Sequence, residues 1–133
     1  MRLINFAGNE DRMDEFRRLH PMLRVVFFDA VKQLYLDCGK AFLITSMFRD
    51  TGGVHQDGRG LDVDVCDVTM YEGGVTPDEA KRVVNDMNDN WEYDPNRPKY
   101  NVAVYKLTGK KADKFGAHIN HIHFQVHPRT VAI

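Results

Sequence analysis

Two short segments alternate apolar and polar residues without a break, and this pattern restricts the fold more than any other feature of the chain. In residues 61–66, Leu61, Val63 and Val65 alternate with Asp62, Asp64 and Cys66. In residues 119–127, Ile122, Phe124 and Val126 alternate with His121, His123, Gln125 and His127. A period of two sends successive side chains to opposite faces of a strand. Each segment is therefore expected to be a strand with one face for the core and one face bearing acids or histidines. Four of the six histidines, His118, His121, His123 and His127, crowd together near the C-terminus, and that crowding asks for a chemical reason.

Helical patterns come first along the chain. Residues 11–19 place Met13, Phe16 and Leu19 at three-residue steps, a short amphipathic helix. Pro21 suits the first turn of a second helix and Gly39 its stop. Spanning Pro21–Cys38, that helix would be about 27 Å long, with an apolar run from Met22 to Tyr35 broad enough to predict deep burial. Residues 41–46 read as a strand, 49–60 as a polar loop, and 100–107 as a further strand. Thr76, Pro77 and Glu79 form a capping box opening a third helix that runs to about Asn90, and 90–99 reads as loop. Helices followed by strands predict an α+β fold, a small and mostly antiparallel sheet with helices packed on one side. The 133 residues suit a single domain over 1–133.

Composition sets the exclusions. Hydrophobic residues make up 43% and charged residues 28%, and 18 Lys+Arg against 19 Asp+Glu leave a net charge of −1, which disfavours nucleic-acid binding by bulk charge. No stretch approaches the roughly 20 apolar residues of a membrane span, and the first ten residues do not read as a signal peptide. Synthesis in the cytoplasm with no export route of its own is expected. Cys38 and Cys66 read as free thiols.

Three pieces carry chemistry: Ser46 to Arg49, His55 to Asp62, and His121-Ile122-His123. Six residues separate His55 from Asp62, and Gly58 and Gly60 make a return between them sterically cheap. A third ligand from the His121/His123 strand would complete two imidazoles and one carboxylate, a set that suits Zn²⁺ with a fourth position left for water.

The ordered string S-x-x-R, G-x-H-x₆-D and H-x₂-H-x-H, covering roughly residues 45–126, resembles the zinc peptidases that cut bacterial cell-wall peptides. These include the D-Ala-D-Ala carboxypeptidases and dipeptidases, the phage L-alanyl-D-glutamate endolysins and the lysostaphin-like murein endopeptidases, with the hedgehog signalling domain as a relative of the same fold. The resemblance implies that His55, Asp62 and His123 bind zinc and that Arg49 contacts a substrate carbonyl or carboxylate. It implies hydrolysis of a peptidoglycan stem peptide or cross-link, in a phage endolysin released to the wall by another protein. In the carboxypeptidase and L-alanyl-D-glutamate branch an acidic base lies three residues before the last zinc histidine, where this chain has Asn120. Residues 118–123 instead resemble the murein endopeptidase branch, which makes His121 the expected proton-transfer residue and His118 the second choice. The alternative is a non-catalytic zinc module of the same fold.

Around these residues, Asp64 is expected to accept a hydrogen bond from a zinc histidine and Cys66 to fill space. His127 is expected to face solvent and His20 to start a helix. Trp91 and Tyr93 either line a groove or pack as a lid on the core. A monomer is expected.

Overall fold

The computed structural model describes residues 2–49, 53–66, 74–105 and 120–133. Its elements are, in order, β1 (Ile4–Phe6), a 3-10 turn (Ala7–Asn9), α1 (Met13–Arg17), α2 (Pro21–Cys38), β2 (Phe42–Ser46), α3 (Gly53–Gln56), β3 (Gly60–Asp64), α4 (Pro77–Asn90), β4 (Trp91–Glu92), β5 (Ala103–Val104), β6 (His121–Gln125) and β7 (Val131–Ala132). The larger sheet runs β1-β2-β3-β6-β5, with β1 parallel to β2 and the other pairings antiparallel, while β4 and β7 form a separate antiparallel pair. The architecture is α+β, with helices packed against a mostly antiparallel sheet.

The caps of α2 follow from its sequence. His20 precedes Pro21 and its Nδ1 accepts a hydrogen bond from the Met22 N–H at 3.1 Å, so His20 is a helix-start residue as expected. The helix ends where the Gly39 N–H donates to the Tyr35 carbonyl. Leu23, Val26, Phe27, Ala30, Val31 and Leu34 are buried, a single stripe at helical spacing. Burial on all sides does not occur, since Val25, Phe28 and Tyr35 are exposed. The broad apolar run overstated the buried arc because a helix laid on a sheet meets it along one side only.

Phe27 carries that side onto the sheet, with its ring centroid 5.7 Å from Phe42 of β2 and 5.5 Å from Phe124 of β6. The apolar faces of β3 and β6 supply Leu61, Val63, Ile122 and Phe124 to the same cluster. Helix α4 opens with the expected capping box between Thr76 and Glu79. Buried Asn88 near its end donates from Nδ2 to the Ala103 carbonyl at 2.9 Å and accepts from the Ala103 N–H at 3.1 Å. That two-point clamp replaces a neighbouring strand for β5.

Other expectations change in detail. Strand β1 and the β4/β7 pair were not anticipated, being two or three residues long and held by pairing rather than by any local pattern. Within the expected loop 49–60, residues Gly53–Gln56 form a helical turn. Helix α1 and strands β5 and β6 are shorter than the expected spans, parts of which (106–107 and 119) lie outside the described residues. Tyr93 is buried, and Trp91 packs on the core with its indole N–H donating to Asp29 at 2.9 Å. Both rings therefore pack onto the core. His127 is partly buried rather than solvent-facing, 3.8 Å from the Asp94 carboxylate and against the Tyr93 ring. Among the described residues no helix is long and apolar enough to cross a membrane.

Candidate metal centre

Register places the chemistry. In the antiparallel β3/β6 pair, Leu61 faces Phe124 and Val63 faces Ile122, while Asp62 faces His123 and Asp64 faces His121. Because each strand alternates, fixing the apolar residues on the α2 side fixes the acids and histidines together on the other side. A one-residue slip would bury the acids in the core, so the packing that stabilises the sheet also aligns the site.

His55 reaches that face from α3. The return from α3 to β3 is closed by hydrogen bonds from the Gly58 N–H to the His55 carbonyl at 3.3 Å and from the Arg59 N–H to the Val54 carbonyl at 2.7 Å. Gly58 sits at φ +70°, a conformation open to glycine at little cost. Gly60 is needed for a different reason. A Cβ there would lie 2.8 Å from Val54 Cγ2 and 3.3 Å from both His55 Cγ and His123 Cε1, so only a residue without a side chain lets the two imidazoles close over β3.

The result is a buried group of His55, Asp62 and His123 whose ligand atoms all lie within 4.8 Å of one another, and it can hold a metal ion. His55 Nε2 is 3.4 Å and His123 Nδ1 is 2.8 Å from the same oxygen, Asp62 Oδ1. The outward nitrogen of each ring is anchored. His55 Nδ1 donates to the Met47 carbonyl at 2.6 Å, and His123 Nε2 lies 3.2 Å from Gln125 Oε1. With its outward nitrogen protonated, a neutral ring turns a lone pair inward. Two such lone pairs and a carboxylate oxygen at one point repel unless a cation sits among them. Consistent with this, buried His55 Nε2 makes no hydrogen bond. The donor set is hard to borderline in character, suits a divalent transition metal, and provides three ligands among the described residues.

Electrostatics point the same way. Burial raises the pKa of Asp62, but the neighbouring imidazoles of His123 and His55 outweigh it and hold the carboxyl well below the usual carboxylate range. Arg49 Nη2 lies 3.4 Å from the other oxygen, Asp62 Oδ2, with the Arg49 side chain 48% exposed. Arg49 thus steadies the Asp62 carboxylate.

The Ser46 to Arg49 turn does more than supply an arginine. Ser46 pairs in register with Asp62, the Met47 carbonyl fixes His55, the Met47 side chain is in the core, and Phe48 stacks under Arg18. Sequence reasoning missed the Met47 carbonyl, which no side-chain pattern advertises. It also passed over Gln125, although the alternation put that residue on the histidine face.

His121 shares the face of His123 and lies outside the three-residue group, its Nδ1 2.9 Å from Asn120 Oδ1. Asn120, three residues before His123, therefore contacts the ring of His121. Asp64 pairs in register with His121 rather than with His55 or His123, and burial raises its pKa against a smaller lowering by His121. Cys38 and Cys66 are not joined in a disulfide, and each is partly buried. His118 lies outside the described residues. Comparison with protein-family models, with curated proteins and with solved structures gives no match.

Proposed function

We propose that this chain is a zinc-dependent peptidase acting on peptide bonds of bacterial cell-wall peptidoglycan. The observation that carries the reading is the convergence of His55, Asp62 and His123 at one buried point, each held from behind by a separate group. The ordered sequence string that resembles the cell-wall zinc peptidases supports the choice of metal and substrate.

Bound there, zinc would polarise a carbonyl and bring the pKa of a coordinated water down to about 7. The chain's own residues do the rest. His121 stands one alternation along β6 from His123, on the order of 7 Å away by strand rise. A ring whose Nδ1 donates to Asn120 Oδ1 keeps Nε2 as its basic nitrogen, the nitrogen that accepts a proton during hydrolysis and returns it to the leaving amine. The exposed part of the Arg49 guanidinium offers fixed positive charge to a substrate carbonyl or carboxylate while its Nη2 steadies Asp62. His118 is the second candidate for proton transfer.

One observation favours the alternative of a non-catalytic zinc module. Arg49 already has a structural task on Asp62, so its presence does not by itself require a substrate.

The experiment is incubation of the zinc-loaded chain with purified sacculi and, in parallel, with casein, followed by mass spectrometry of released fragments. Peptide cleavage products from sacculi, lost on chelation, are expected. Rapid casein cleavage with intact sacculi would contradict the substrate, and zinc binding with no release from any peptidoglycan would favour the module.

A further inference from the structure

We propose that Gln125 is a positioning residue for the metal ligand His123, and that the backbone carbonyl of Asn101 sets the direction in which Gln125 works. The proposal rests on the metal-centre reading above and deepens it.

A glutamine amide has two chemically opposite ends, an oxygen that accepts and an NH₂ that donates. In Gln125 the choice of end is imposed from outside. Its Nε2 lies 2.8 Å from the Asn101 carbonyl oxygen, and because a carbonyl only accepts, the NH₂ must point there. Oε1 is thereby turned toward His123 Nε2 at 3.2 Å. An acceptor in that place calls for a hydrogen on His123 Nε2. A neutral imidazole carries one hydrogen, so a metal that takes the lone pair of Nδ1 leaves that hydrogen on Nε2, where Oε1 accepts it. Nδ1 is the nitrogen inside the metal group, 2.8 Å from Asp62 Oδ1; a proton there serves that hydrogen bond, and a bound metal would replace it.

The support behind Gln125 is itself rigid. The Gln125 backbone N–H donates to the Val102 carbonyl at 2.8 Å, so consecutive carbonyls of 101 and 102 hold both the main chain and the side chain of this residue. The next residue, Ala103, is fixed at both of its backbone groups by buried Asn88 of α4. Orientation thus passes from α4 through the edge strand to Gln125 and on to the ring of His123. Carbonyl oxygens behind metal-ligating histidines fix ring tautomer and direction in this way, and their loss typically weakens metal binding by about 10–100-fold.

Two substitutions separate this role from simple packing. Gln125→Leu keeps the bulk and removes the acceptor. Gln125→Glu keeps an acceptor toward His123 and loses the bond to Asn101. Zinc affinity of the metal-free full chain would be measured by chelator competition for wild type and both variants, with melting in the absence of metal as a control on folding. Nitrogen-15 spectra of the histidine rings in the zinc-loaded wild type and variants would report which nitrogen carries the hydrogen. The expected result is a hydrogen on Nε2 and the metal on Nδ1 of His123, affinity about 10–100-fold lower in Gln125→Leu, and recovery of most of that loss in Gln125→Glu. Wild-type affinity in Gln125→Leu, equal losses in both variants, or a wild-type ring protonated on Nδ1 would overturn the proposal while leaving the metal centre standing. Failure of the wild type to bind zinc would overturn both.

Discussion

Replacing Gly60 with alanine tests whether the closeness of the two imidazoles is what makes the site. The added methyl would sit 3.3 Å from a ring carbon of each histidine and 2.8 Å from Val54 Cγ2. The valine methyl can rotate aside, but the rings cannot retreat cheaply. His55 is tied to the Met47 carbonyl at 2.6 Å, and His123 to Asp62 at 2.8 Å. Relief therefore requires each ring to move by a few tenths of an ångström, beyond the roughly 0.2 Å tolerance of metal–ligand distances. In the metal-free protein, overpacking costs about 1–3 kcal/mol, against about 0.5–1 kcal/mol gained by removing a glycine from a strand. A net loss of about 0–2.5 kcal/mol leaves the fold intact. Zinc affinity, by contrast, should fall by an amount like that seen when histidine supports are disturbed, about 10–100-fold. In excess zinc this removes about 1.4–2.7 kcal/mol of ligand-linked stabilisation. At roughly 4 °C per kcal/mol for a chain of this size, the zinc-induced rise in melting temperature shrinks by about 6–11 °C. Thermal melts of wild type and Gly60→Ala with and without zinc measure it. An undiminished zinc-induced shift in a folded Gly60→Ala would refute the reasoning.

Other outcomes follow from the same structure. Asn88→Ala orphans two buried backbone groups of Ala103, at about 1–3 kcal/mol each, so urea unfolding should show a loss of about 2–6 kcal/mol; a loss below about 1 kcal/mol would mean the clamp is dispensable. Burial raises the pKa of Glu79, but the Lys40 ammonium at 2.6 Å and its capping bonds to Thr76 bring it from 4.5 down to about 2. A carboxyl depressed on folding stabilises above its unfolded pKa, and that contribution is lost as pH falls from about 4.5 toward 2. Lys40→Met should cost about 1 kcal/mol at neutral pH and flatten the acid limb of stability, and an unchanged pH profile would contradict the pairing. His121→Ala should leave zinc content and melting nearly unchanged while hydrolysis of sacculi falls by about 10²-fold or more; full activity would remove His121 from proton transfer.

How far the sequence reveals this arrangement depends on the length scale of each cause. Period-two alternation in residues 61–66 and 119–127 is local, and it survives in β3 and β6, because only one register buries Leu61, Val63, Ile122 and Phe124 together. That register alone sets Asp62 across from His123. The capping box of α4 and the proline start of α2 are local too, and both appear as read. By contrast, β1 and the β4/β7 pair exist only through partners distant in sequence, and nothing in three or two residues declares them. The same holds for the supports of the site. Met47 offers a main-chain carbonyl, Gln125 is oriented by Asn101, and Asn88 clamps β5, each across a separation that composition and spacing do not encode. The exposed side of α2 shows the converse, where an apolar run overstated burial because geometry limits contact to one stripe.

The account stands on His55, Asp62 and His123 acting as one metal centre, and equilibrium metal content tests this most directly. The purified full chain would be stripped with chelator, dialysed against excess zinc at pH 7.5, freed of unbound metal and assayed for zinc by elemental analysis, alongside His55→Ala and His123→Ala. One zinc per chain in the wild type and far less than one in each variant is the expected result. A wild type that retains no zinc, or variants that retain as much as the wild type, would contradict it.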